Sequence, residues 1–138
     1  MRLYIPIKPM GCVRMTRNSK WMDKNAIRYL DYKTELGYYL KKQCPEPLAG
    51  PVKVRATFYM PIPESWAVKK KLNMAGRPMV SKPDIDNLLK GLFDAANGIL
   101  WADDKDVHEL LSVRKVYDET PGIWMEVTTD DDTTAVLG

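Results

Sequence analysis

Chemically capable side chains concentrate in one run, Ser81-Lys82-Pro83-Asp84-Ile85-Asp86-Asn87-Leu88-Leu89-Lys90, and in a second close behind it, Leu100-Trp101-Ala102-Asp103-Asp104-Lys105. Two unit charges about 4 Å apart repel by roughly 4 kcal/mol at an effective dielectric near 20. A divalent cation turns that repulsion into binding energy, and an all-oxygen donor set suits magnesium, manganese or calcium. Asp84 and Asp86 are two apart and point the same way on extended backbone. Asp86 and Lys90 are four apart and become neighbours on a helix. An ammonium set among leucines needs an anionic partner. A metal held by such acids acidifies a bound water and polarises a phosphate, and a lysine beside it stabilises the charge that builds up in the transition state. The same residues also read as plain structure: Asp84 or Asp86 a helix cap, Asp103-Asp104 a turn, Lys90 the partner of Asp86 or Asp94. Spacing alone does not choose.

The elements that must position these groups follow from pattern. Leu3 to Ile7 predicts a short strand, with Pro6 placing it at an edge or near its end. Lys8 to Trp21 predicts a basic, partly extended loop. Trp21 at its end suits either base stacking or anchorage to the core. Residues 23–43 predict a helix capped by Asp23 or Asn25. Its stripe is Ala26, Ile27, Leu30, Leu36, Tyr39 and Leu40, and Pro45 and Pro47 stop it. Val52 to Met60 alternates as a half-buried strand whose outer face is basic. Ser65 to Lys71 predicts a short helix, within a segment that is either a basic flap or an excursion without a role. A nearly apolar, buried helix is expected from Asp86 or Asn87 to Ala96, stopped by Asn97-Gly98. Asp103 to Asp106 predicts a turn. Val107 to Tyr117 predicts a strand, with Val107, Leu111, Val113 and Tyr117 on one side and Leu110 and Val116 on the other. Ile123 to Val127 pairs back as a hairpin partner. His108, the lone histidine, reads as a solvent-facing strand residue.

At 138 residues the expectation is a single domain: residues 1–129, with 130–138 an acidic tail frayed at its end. The net charge of +3 conceals a division. Residues 1–82 carry 17 Lys and Arg against 5 Asp and Glu, a net of +12. Residues 83–138 carry 4 against 13, a net of −9. One half suits a polyanion and the other a cation, which points towards nucleic acid. No run of 18 or more apolar residues argues for a membrane span. The first residues do not form a signal peptide, since Pro6 breaks them early. Cys12 and Cys44 are expected as free thiols in a cytoplasmic protein.

The run Lys82 to Lys90, with Phe93-Asp94-Ala95, Asn97-Gly98 and Trp101-Ala102-Asp103-Asp104-Lys105-Asp106-Val107, resembles the RusA-type Holliday-junction resolvases, many of them phage- or prophage-borne. The likeness is sharpest over residues 82–107 and looser over most of the rest. It implies a small homodimeric endonuclease that binds four-way DNA junctions and nicks two strands symmetrically with Mg2+, for which Mn2+ can substitute. The family's aspartate pair falls on Asp84 and Asp86, its essential lysine on Lys90 and its third aspartate on Asp104. Asp84, Asp86 and Asp104 are the implied metal ligands.

The expected fold is α+β: a small mixed sheet packed by two main helices. The expected activity is metal-dependent hydrolysis of phosphodiesters in branched DNA, serving recombination and repair. Arg14, Arg17, Lys20, Lys69, Lys70 and Lys71 are the candidate backbone contacts. A homodimer matches a two-fold substrate. The alternative is a protein that binds branched or single-stranded nucleic acid without cutting it.

Overall fold

A computed structural model describes residues 1–14 and 23–129. The sheet has four strands: β1 (Arg2–Ile5), β2 (Val52–Pro61), β3 (Val107–Asp118) and β4 (Gly122–Thr129), in the order β1-β4-β2-β3. β4 runs antiparallel to both β1 and β2, while β2 and β3 are parallel. Parallel neighbours need a crossover connection. Here it carries two helices, α2 (Val68–Met74) and α3 (Ile85–Ala96), and α1 (Lys24–Gln43) joins β1 to β2. This is the expected α+β domain, but β4 does not pair back on β3 as the hairpin partner read from the sequence, because β2 lies between them.

One sheet face is the core. Met125 lies opposite both Leu3 and Ala56, and Ile123 opposite both Ile5 and Phe58, and all six are buried. α1 and α3 close over that face with Tyr29, Leu36 and Leu40 from one and Leu88, Leu92 and Ala96 from the other. Each fully buried leucine contributes about 1.5–3 kcal/mol over leaving it exposed. On the opposite face β2 is less basic in effect than its sequence. Arg55 and Arg2 both meet Glu126, at 4.0 and 3.1 Å, and Lys53 meets Glu109 at 3.8 Å.

α1 starts where expected, with Asp23 accepting a hydrogen bond from the Asn25 N–H at 2.8 Å. Its buried stripe differs from the expected one. Ala26, Tyr29, Tyr32, Leu36 and Leu40 face inward, and Ile27 is exposed. The spacing 26–29–32–36–40 follows the 3.6-residue period more closely, and the tyrosines, polar only at the tip, suit it.

α2 begins three residues later than Ser65. The Trp66 N–H closes a turn on Pro63 O at 3.2 Å, and the Trp66 ring packs edge-on against Tyr117 with centroids 5.3 Å apart, so the chain is anchored before the helix can start. The segment after it is neither a free flap nor an idle excursion. Gly76 N–H donates to Tyr117 O at 2.7 Å, Tyr117 N–H to Arg77 O at 3.0 Å, and Met79 N–H to Lys115 O at 3.1 Å, which stitches residues 76–79 along the outer edge of β3.

The first half of β3 departs from the expected alternation. Lys53 pairs with Glu109 after Val52 pairs with Val107, and Arg55 pairs with Ser112 after Val54 pairs with Leu110. His108 and Leu111 are therefore extra residues on β3, and such bulges break the two-residue period. Leu110 and Leu111 both stay exposed, at 46% and 41%, where the sequence pattern placed Leu111 beside Val107 and Val113. His108 is exposed, as expected.

Candidate active site

The approach to α3 is fixed from two sides. From the sheet, the Lys115 ammonium donates to Ser81 O at 2.6 Å and to Pro83 O at 2.8 Å. From the N-terminal segment, the Cys12 N–H donates to Asn87 O at 3.0 Å. Gly11 is needed there, because a Cβ at this position would stand 3.0 Å from Pro83 Cβ. The Lys82–Pro83 peptide bond is cis. Asp84 is then the N-cap, extended at φ −68° and ψ 152°, and its carboxylate makes no capping hydrogen bond. It rims a cavity of about 510 Å³ lined by Cys12, Lys82 and Asn87, and a second on the side of Arg114 and Lys115.

Asp86 lies in the first turn and accepts from the Asn87 N–H at 3.0 Å. Both residues sit at the N-terminal end of the helix, the positive end of its dipole. Lys90 is one turn further, about 6 Å of helix rise. It is not buried among leucines as the sequence suggested. The helix buries one face only, with Leu88, Gly91, Leu92, Ala95 and Ala96 inward, and the Lys90 side chain is 65% exposed. Its ion-pair partner is Asp94, at 4.0 Å.

Leu100 and Trp101 return the chain along α3. Trp101 is fully buried, donates to Asn97 Oδ1 at 2.8 Å and meets Phe93 edge-on at 5.3 Å. Gly98 takes the left-handed conformation at φ +80° that ends the helix. Asp104 follows on a single helical turn, Asp104–Asp106. Its carboxyl is held above the usual carboxylate range, first by a hydrogen bond with Asp103, with the charges of Asp103 and Asp94 acting the same way and Lys90 opposing them. Asp103 is lowered, chiefly by that same hydrogen bond.

Asp84 and Asp86 lie at the head of α3, Lys90 and Asp94 further along the same helix, and Asp104 on the turn that follows Trp101. Among the described residues, no three His, Cys, Asp or Glu side chains stand close enough together to hold a metal ion. The donor chemistry, carboxylate oxygens, suits a hard divalent cation.

Of the candidate DNA contacts, Arg14 is exposed beyond the first cavity. Lys69 and Lys70 are exposed on α2, and the Lys70 ammonium lies 4.1 Å from the centre of the Trp66 ring. Lys71 is half-buried on the same helix. Arg17, Lys20 and Trp21 fall outside the described residues, as do the Asp130 to Asp132 acids of the tail. Sequence reasoning missed Lys115, Tyr29 and Gly11. Lys115 carries no local signal, since its partners are backbone carbonyls more than 30 residues away. Tyr29 was legible from the corrected stripe of α1.

A mixed sheet backing a helix with an acidic head, with a lysine-bearing helix in the same crossover, has the parts that a nuclease uses. The chain belongs to the RusA endodeoxyribonuclease family: the family described as endodeoxyribonuclease RusA matches residues 6–128. It is also similar to the uncharacterized protein YqaN of Bacillus subtilis (strain 168), 31% identical over 121 residues that span 84% of this chain and 82% of that one. Among the described residues, no helix is long and apolar enough to cross a membrane.

Proposed function

We propose that this protein is a cytoplasmic, homodimeric endonuclease that resolves four-way DNA junctions by paired symmetric nicks in recombination and repair. The observation that carries the reading is the head of α3. There Asp84 and Asp86 stand exposed on a backbone fastened by Lys115 and Cys12, in a chain of the endodeoxyribonuclease family. A group held rigidly by packing and hydrogen bonds meets the geometric demand of catalysis. Asp84, Asp86 and Asp104 are the proposed ligands of Mg2+, with Mn2+ as a substitute. Bound there, the ion supplies an acidified water and a polarised phosphate. Lys90 faces the scissile phosphate and offsets its added negative charge. Arg14, Arg17, Lys20 and the three lysines of α2 hold the DNA backbone.

The test is cleavage of an end-labelled synthetic four-way junction, beside linear duplex and single strand of the same sequence, with Mg2+ or with EDTA. Paired nicks on opposite strands of the junction, in Mg2+ alone, are expected. Cutting of linear duplex at the same rate would end the claim of junction preference. Tight junction binding with no cutting in either Mg2+ or Mn2+ would favour a second reading, a non-catalytic binder of branched or single-stranded nucleic acid. That no three acids among the described residues stand close enough to hold a metal ion is the observation on its side.

A further inference from the structure

The structure assigns Asp94 a positioning role: it holds the Lys90 ammonium on the exposed face of α3 and is itself held from α1 by the Tyr29 hydroxyl. This rests on the nuclease reading and adds to it two residues that the family resemblance did not place in the site.

The two carboxylate oxygens of Asp94 are divided between two partners. Oδ2 accepts from the Tyr29 hydroxyl at 3.1 Å, and Oδ1 lies 4.0 Å from Lys90 Nζ. One partner is core, since Tyr29 is 1% exposed, and the other is 65% exposed at its side chain. Asp94 thus transmits the rigidity of the α1–α3 interface to a lysine that otherwise has free rotation about a four-carbon stem. Tyr29 is a dependable donor. Burial above all, then a hydrogen bond with Cys12 and the charge of Asp94, push its hydroxyl far above its ordinary value, so it keeps its proton throughout the working range. The Lys33 ammonium, 4.8 Å from the ring centre, packs on the same phenol.

The Lys90–Asp94 pair is a poor stabiliser on its own terms. It is exposed, and a lysine N-terminal to its acid is the weaker order on a helix. An acid anchored through a buried phenol serves better to aim the ammonium than to hold the helix together. Orienting partners of this kind act through the residue they fix.

The experiment uses the full chain and its Asp94→Asn and Tyr29→Phe variants. It measures single-turnover cleavage of a labelled four-way junction in Mg2+, affinity for the same junction in EDTA, and the urea midpoint. Asp94→Asn is expected to slow cleavage roughly tenfold to a hundredfold, with affinity unchanged. Tyr29→Phe, which removes one hydroxyl and keeps the ring, is expected to slow the same rate constant by a smaller factor. Should Asp94→Asn not fold, Tyr29→Phe decides alone. Both variants cutting at the wild-type rate would overturn the assignment and leave the nuclease reading standing, as would a loss confined to affinity or to the urea midpoint. A wild-type chain that cuts no junction would sink the nuclease reading itself, and this assignment with it.

Discussion

The crossover between β2 and β3 carries two helices built on different terms. α3 has 12 residues and buries five of them, while α2 has seven and buries none. α3 begins on a backbone clamped by Lys115 and ends on a fully buried tryptophan. α2 rests on the sheet through Trp66 and its flanks, and it exposes Val68 and Leu72 at 72% and 66%. Positioning a reactive group demands sub-ångström constancy, which packing supplies. Gathering phosphates demands charge and reach, which a helix free of the core supplies at little cost to the fold. Acids lie on the first helix and consecutive lysines on the second, in keeping with that division.

The comparison can be broken most decisively at Asp86. Asp86→Asn is expected to reduce single-turnover junction cleavage by roughly a thousandfold, at the upper end for loss of one electrostatic group, while the Kd in EDTA stays put. Cutting at the normal rate would move the chemistry off α3. Stability should divide the same way. Trp101→Ala is expected to cost about 3–5 kcal/mol in urea unfolding, and Leu72→Ala to stay within about 0.5 kcal/mol. Similar losses at both sites would show α2 to be part of the core.

Removing the charges of Lys69, Lys70 and Lys71 together should weaken junction binding and flatten the dependence of log affinity on log salt. At most the slope changes by about 2.7, if each lysine neutralises one phosphate. An unchanged slope would exclude α2 from the DNA face. The smallest effect concerns Asp103→Asn, which removes the acid partner that raises Asp104. The midpoint of Asp104 in a carbon-detected NMR titration should fall towards the ordinary carboxylate range, and a midpoint that stays raised would locate the cause elsewhere. The linked stability terms oppose each other. The lowered Asp103 contributes above its unfolded value and loses that contribution as pH falls through its folded one. The raised Asp104 contributes below its unfolded value and loses that contribution as pH rises through its folded one. Both groups lie at the surface, where solvent screens them.

Much of α3 was legible in advance. Leu88, Leu92, Ala95 and Ala96 recur at helical spacing, and Asn97-Gly98 announces the stop. What misled was the abundance of apolar residues around Lys90, which suggested burial on all sides. Ile85 at 37% exposure and the half-buried Leu89 and Phe93 show that an apolar side chain on a helix need not face the core. The β3 alternation failed for another reason. A bulge depends on the partner strand, and no pattern within Val107 to Leu111 reveals that β2 skips two of these residues.

By itself the sequence determined the order of elements, the α+β class and which acids and lysines could take part in chemistry, because periodicity, caps and turn residues act over a few neighbours. Only the tertiary structure decided that Tyr29 backs the Lys90–Asp94 pair and that Lys115 fastens the approach to Asp84. Those outcomes depend on contacts between segments far apart in the chain, and their geometry exists only once α1 and α3 have packed on the sheet.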